Sequence, residues 1–390
     1  MRETVPSCLL AVIAAPMLRI AEINDPDQLP LLADAWERLL ALTPNASFFQ
    51  SLPWLLANWS QVGGSRTLRV LLAWDDGELV GILPLNVMTE TTHLGKNRVL
   101  AFPLDGWGSF YGPIGTSPRT VVSQCLEYLR NAHQDFDTID CRSLPDLRQA
   151  NEMPLYAHND VALVDLENNW EAYWASRNRD HNRRRNVERC ERRLAELGII
   201  THVRYRPLGK TGHDCDPRWD LYDACESLAR KSWQSGLANG NTLSHDSVRD
   251  ILRQVHVAAA DAGALDINLL YLDQQPVAFA YGYHYRGYVD LMRIGFDPEF
   301  SKVAPGNALW TRLIRDSFAR GDRILDLGPT CLDYKKFWLT RVEKSCRYLH
   351  YPPRPKAQAL RFARWMKEQF MRQQEETNRA NKEQVLQAQK

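Results

Sequence analysis

The chain has 390 residues, 44% of them hydrophobic and 24% charged, with a formal net charge of +1. That length holds two domains or one large pseudo-symmetric unit, and the composition is that of an ordinary globular chain. The near-neutral balance makes no global case for nucleic acid or acidic membranes, so charge has to be read locally.

Eight cysteines form no Cys-x-x-Cys pair and have no histidines at zinc-finger spacing. They read as buried thiols in a reducing compartment, with no metal expected. Cys8 to Ala15 is a short apolar run behind Arg2, weak as a signal peptide, and residues 1–19 read as an extension or a disordered N-terminus. No run approaches the ~20 apolar residues of a membrane span, and a cytoplasmic setting is expected.

In chain order, Leu29, Leu32, Ala35, Trp36, Leu39 and Leu40 mark one face of a helix ending near Leu42. A second helix begins at the Ser51 cap with Pro53 in its first turn. Leu68–Trp74 and Leu79–Val87 read as strands joined by Asp75-Asp76-Gly77-Glu78, a strong hairpin signal. A strand at Val99–Phe102 and the Gly- and aromatic-rich loop Asp105–Gly115 come next. A helix from Pro118 to Ala132 and a strand from Phe136 to Cys141 complete this half. Trp107 sits in the loop, which suits stacking on a sugar or nucleobase, or packing between domains.

Trp170–Gly198 reads as a basic connecting helix stopped by Gly198. Between Arg177 and Arg193 it holds eight arginines against Asp180, Glu188 and Glu191. It is either a solvated helix with Glu–Arg pairs or a contact for coenzyme phosphates, an acidic glycan or tRNA. Arg218–Ser232 and Ser247–Ala262 are further helical patterns, and Leu237–Asn241 reads as a mobile loop. Past Pro355 a charged tail reads as a helix that frays into disorder.

The remaining stretch, Leu265 to Leu327, organises the chain. Strands at Asp266–Leu272, Val277–Tyr285 and Tyr288–Phe296 form an antiparallel meander. A loop from Asp297 to Asn307 then enters a helix with Ala308, Leu309, Leu313, Ile314 and Phe318 apolar. Gly321 ends it, and Arg323–Leu327 is one more strand. Leu68–Cys141 has the same order, so a duplicated domain is expected. The helix entry offers unpaired N–H groups to a phosphate, with Gly306 allowing close approach and Pro305 fixing the chain.

Asp290 is a charge in mid-strand, a candidate base or a buried salt bridge. Tyr281 and Tyr283 alternate with Gly282 and His284, so they line a cleft or pack as aromatic core. No Gly-x-Ser-x-Gly, paired-His triad or P-loop is present, which disfavours a covalent serine enzyme or an NTPase.

Four segments carry a family resemblance: Phe296-Asp297-Pro298, Ala304 to Leu309, Asp326-Leu327-Gly328 and Tyr334-Lys335-Lys336-Phe337-Trp338. Together they resemble the GNAT acyltransferase superfamily, and in detail its CelD/BcsL branch, which is related to the Fem peptidyltransferases. The resemblance implies α/β (α+β mixed) tandem GNAT-like domains. Residues 20–165 would form the first and 166–200 the basic connector. The second, at 201–352, would carry the acyl-CoA site, with a tail at 353–390.

It also implies acetyl-CoA or another acyl-CoA as co-substrate. Val303, Ala304, Pro305, Gly306, Asn307 and Ala308 take the place of the pyrophosphate loop, with Val303 at the family's basic position. Tyr334 and Lys335 fall in the recurrent signature, a tyrosine near the thiolate being the usual acid. Trp233, Trp107, Tyr281 and Tyr283 are the candidate acceptor contacts.

The implied reaction moves an acyl group from acyl-CoA to an amine or hydroxyl on a small molecule or saccharide, such as an envelope polysaccharide. The alternatives are a Fem-like transferase using aminoacyl-tRNA, favoured by Arg177–Arg193, and a degenerate GNAT scaffold, suggested by Val303.

Overall fold

The computed structural model describes residues 17–132, 135–147, 154–236 and 242–388, and within them one chain path occurs twice. The Cys8–Ala15 run, His133 and the Leu237–Asn241 loop lie outside the described residues. The first copy runs β1 (Arg19–Ile23), α1 (Ala33–Leu42), α2 (Leu52–Val62), β2 (Thr67–Asp75), β3 (Glu78–Thr92), β4 (Gly95–Ala101), β5 (Ile114–Gly115), α3 (Pro118–Ala132) and β6 (Thr138–Leu144). Then come β7 (Leu155–Asp165), α4 (Trp170–Ser176) and α5 (His181–Ala195). The second copy runs β8 (Ile200–Tyr205), α6 (Trp219–Lys231), α7 (Arg249–Asp261), β9 (Leu265–Leu272), β10 (Gln275–Tyr285), β11 (Tyr288–Phe296), α8 (Pro305–Arg320) and β12 (Ile324–Pro329). The chain closes with α9 (Asp333–Lys336), β13 (Arg341–His350) and α10 (Pro355–Ala388).

Apart from β5, the two copies match strand for strand. β2, β3 and β4 form an antiparallel meander, and α3 carries the chain back to lay β6 parallel to β4. β9, β10 and β11 do the same, and α8 lays β12 parallel to β11. The tight turns sit where the sequence put them: Asp76 and Gly77 have φ of 44° and 86°, Arg286 and Gly287 of 44° and 80°. Positive φ at both central positions matches the twist of a two-residue hairpin.

The copies do not close separately. All 13 strands form one sheet, ordered β1-β2-β3-β4-β6-β13-β7-β12-β11-β10-β9-β8, with β5 paired to β3. β7 follows β6 in the chain yet pairs with β12, while β13 follows β12 yet pairs with β6. Each half therefore donates its last strand to the other, and the sheet runs across the expected boundary at 165. The largest core is shared as well, with Phe48, Phe49 and Trp54 of the first half packed on Tyr283 of the second.

The expected single connecting helix is corrected to two. α4 and α5 are separated by a 3-10 turn at Arg177–Asp180. Arg177 is buried; it donates to the carbonyls of Phe337 (3.0 Å) and Leu339 (2.8 Å) and lies over the Tyr173 ring. Drawing this side chain inward breaks the helix, and Asp180 starts α5 by accepting from the Arg183 N–H.

Candidate functional site

The site is built on β11. Between Tyr281 and Tyr283 on β10 the register shifts, so that Arg293 to Asp290 on β11 spans one residue more than its partner. This is a β-bulge, which bends a strand and re-aims its side chains. Gly282 lies opposite the bulge, and a Cβ there would stand 1.9 Å from the Asp290 carbonyl oxygen, so only glycine fits. On its other edge β11 pairs with β12 at Tyr288–Ile324, Val289–Leu325 and Asp290–Asp326 alone. Beyond that rung the two parallel strands part at their carboxyl ends, where open α/β sheets hold ligands.

A cavity of about 380 Å³ fills the opening. Ile294, Gly295 and Phe296 line it from β11, Ala304, Gly306, Asn307 and Trp310 from the start of α8, Leu332, Tyr334 and Trp338 from beyond β12, and Trp233 from the rim. Five residues expected from the sequence meet here: Trp233, Ala304, Gly306, Asn307 and Tyr334. Pro305 and Ala308 are buried behind them, and Val303 packs against the α8 core.

The entry of α8 is open. Ala304 precedes it with φ of 45°, no side chain caps it, and its first turn carries no acid. Its N-terminal N–H groups thus form an uncompensated positive end. A Cβ at Gly306 would meet only Phe296, at 3.7 Å. Lys302 is exposed just ahead of Val303.

Tyr334 faces the cavity, and burial raises its pKa. Lys335, next to it, turns away. Its Nζ donates to the carbonyls of Gly328 (3.1 Å), Pro329 (2.9 Å) and Thr330 (3.0 Å). An ammonium has three hydrogens, and all are used in bracing this loop. Burial pushes Lys335 down to about 8, with Asp326 acting in the opposite sense.

On the face away from α8 lies a buried carboxylate cluster. Asp326 accepts from the Gly328 N–H (2.7 Å), the Tyr288 hydroxyl (2.8 Å) and the Ser109 hydroxyl (3.0 Å). Burial, and then the charge of Asp326, raise Asp290 well above the carboxylate range, with Arg293 opposing. Arg293, lowered to about 10 by burial, lies 4.8 Å over the Trp107 ring. The aromatic loop of the first half is thus packed onto the second half's carboxylates, and Trp107 is buried there.

Tyr281 and Tyr283 lie inside the shared core, fully buried. The Tyr281 hydroxyl is 2.9 Å from His256 Nδ1, and Tyr283 sits among Phe48, Phe49 and Trp54. Sequence reasoning passed over Arg293 and Ser109. Arg293 had a signal, a charge between Met292 and Ile294 in a strand. Ser109 had none, because its partner is 217 residues away.

Residues 181–336 match the family model described as an acetyltransferase (GNAT) domain. That span contains β11, the α8 entry and Tyr334. No curated protein matches the sequence. Among solved structures, FemX is similar with a TM-score of 0.55 at 11% identity, over 85% of this chain and 97% of that one. The C-terminal domain of a putative lysylphosphatidylglycerol synthetase from Agrobacterium fabrum gives 0.49 at 13% identity, over 87% and 96%. A tandem GNAT protein from the clavulanic acid biosynthesis pathway gives 0.42 at 11%, over 86% and 99%. The chain has a mixed α/β fold similar to that of FemX, and its residues 181–336 resemble a GNAT acetyltransferase domain. Among the described residues no helix is long and apolar enough to cross a membrane, and no group of three His, Cys, Asp or Glu could hold a metal ion.

Proposed function

We propose that this protein transfers an acyl group from acyl-CoA, acetyl-CoA in the simplest case, to an amine or hydroxyl acceptor in the cytoplasm. The observation that carries this reading is the apolar cavity where β11 and β12 part, closed by the uncapped entry of α8. A pantetheine arm is long and mostly apolar and suits the cavity, while its pyrophosphate suits the positive end of α8 at Gly306. The acceptor's lone pair attacks the thioester carbonyl carbon and the C–S bond breaks. Tyr334, whose raised pKa keeps it protonated, gives its proton to the leaving thiolate. Asp290, in its ionised form, takes the acceptor's proton; burial and the neighbouring Asp326 charge raise its affinity for that proton.

In this reading residues 201–352 hold the donor, and the loop with Trp107 and Ser109 walls the acceptor side. The motif resemblance to the CelD/BcsL branch supports a saccharide acceptor of the envelope-polysaccharide class.

Calorimetric titration with acetyl-CoA, beside a Gly306→Trp variant, tests the donor site. Micromolar binding by the parent and none by the variant is expected. Silence from both, with longer acyl chains also silent, sinks the reading.

A second reading, a Fem-like transferase using aminoacyl-tRNA, is favoured by one observation. Arg183, Arg185, Arg189, Arg192 and Arg193 are all exposed on α5. Near its start Arg179, Arg183 and Lys336 share a cavity of about 420 Å³. Salt-sensitive tRNA binding that is lost in Arg185→Glu/Arg189→Glu would select it.

A further inference from the structure

Helix α10 is held to the body through its first two turns. Ala357 and Leu360 are buried, Gln358 donates to the carbonyls of Tyr351 and Pro352, and Lys356 pairs with Asp137 at 2.6 Å. The opposite face carries Phe362, Trp365, Met366 and Phe370, which are 62%, 51%, 50% and 60% exposed. At ~100° per residue these four fall within an arc of about 140°, centred away from Ala357 and Leu360. Large apolar side chains gathered on one exposed face mark a surface that something else covers.

The charges around that arc say what covers it. From Pro355 to Met371 the helix holds Lys356, Arg361, Arg364 and Lys367 against one carboxylate, Glu368. Beside its Arg361 and Trp365 flank, a cavity of about 770 Å³ opens between α10 and the exchanged strands β7 and β13. His158, Arg347, His350, Arg361 and Arg364 line it, with Glu368 the one acid among its lining residues. Arg347 is paired with Asp140, and Arg364 with Glu368. Burial lowers the pKa of His158, and Arg347 and Arg142 lower it further; His350 is lowered by burial and then by Arg130. Asp140, paired with both Arg142 and Arg347, opposes these cations at His158.

We infer that this face of α10 lies on an anionic phospholipid surface, with headgroup phosphates received by the adjoining cavity. An apolar arc of Phe, Trp and Met rimmed by Arg and Lys is the composition of a helix lying in a bilayer interface. A second copy of the chain is a poorer cover. Pairing two such arcs sets Arg361 and Lys367 of one copy against the same residues of the other, with only Glu368 to compensate. This inference stands apart from the acyl-transfer reading.

Flotation of the full-length protein with phosphatidylcholine vesicles, with and without phosphatidylglycerol, tests it beside Phe362→Glu/Phe370→Glu. Both substituted residues are exposed, and an unchanged melting temperature confirms that the variant folds. The parent should bind the anionic vesicles roughly tenfold or more better than the zwitterionic ones, and high salt should weaken that binding. The double variant should stay with the unbound protein. Equal flotation on both vesicle types, or by parent and variant alike, overturns the inference. So does a dimer of the parent that the variant dissolves, which would assign the arc to a second copy. Binding of inorganic phosphate without flotation would make the cavity a site for free phosphate and overturn it too.

Discussion

Asp290 and Asp326 face each other on the last rung between β11 and β12, the point where those parallel strands part. Two buried carboxylates at one rung cannot both ionise cheaply, so the pair retains a proton above the ordinary carboxylate range. Past that rung the strands part, and Ile294, Gly295 and Phe296 line the cavity from β11.

That pairing has a cost with a definite sign. Above about pH 4 the unfolded chain loses this proton while the folded chain keeps it, so stability falls as pH rises toward the folded pKa. Asp290→Asn removes the second charge. It is expected to raise the unfolding free energy at neutral pH, read from urea titration, by an amount of order 1 kcal/mol and to flatten the decline. Acyl transfer should fall by about 10²-fold or more if Asp290 is the base. Urea titrations at several pH values, with turnover beside them, check both effects; a variant that is stabilised and fully active removes Asp290 from the chemistry.

Gly282→Ala tests the bulge. Its Cβ would stand 1.9 Å from the Asp290 carbonyl oxygen, so the backbone of β10 or β11 must move. A loss of about 3 kcal/mol is expected, at the high end for an overpacked site. Acetyl-CoA affinity should fall more than ten-fold in the fraction that remains folded. Gly306→Ala is the contrast: its methyl meets only Phe296, at 3.7 Å, so the melting temperature should hold and any lost affinity reports on the ligand.

His256 sets the acid limit. It is fully buried; Nδ1 lies against the Tyr281 hydroxyl and Nε2 against the Pro217 carbonyl at 2.6 Å. Burial pushes its pKa down to about 4. The unfolded chain takes up this proton below about pH 6.5 and the folded chain does not, so stability is lost as pH falls from there to about 4. The loss attributable to His256 is about 3 kcal/mol. His284, also near 4 through burial, adds to it. His256→Gln should flatten the pH dependence of the denaturation midpoint across that window; an unchanged slope would assign the acid limit elsewhere.

The elements legible in the sequence were those whose signals are local. Asp76-Gly77 and Arg286-Gly287 announced their hairpins, Gly321 its helix end, and Pro305-Gly306 the entry of α8, because each follows from conformational limits of neighbouring residues. The strands β1, β5, β7, β8 and β13 carry no such signal. In β13 charged Arg341, Glu343, Lys344 and Arg347 interrupt the apolar pattern, since its pairing with β6 and β7 is supplied by partners far away in the chain. The α4–α5 break was likewise hidden. It depends on carbonyls at Phe337 and Leu339 that draw Arg177 inward from 160 and 162 residues away.

By itself the sequence determined the duplicated order of strands and helices and the place where α8 begins, at Pro305-Gly306. Turn chemistry and hydrophobic periodicity act over a few residues and do not wait for the fold. Only the tertiary structure decided that Tyr281 and Tyr283 are core, that Lys335 is spent on three carbonyls, and that Ser109 reaches Asp326. It alone decided that β7 and β13 change places. Burial and strand exchange arise from segments distant in the chain competing for the same surface, and no local pattern records which of them wins.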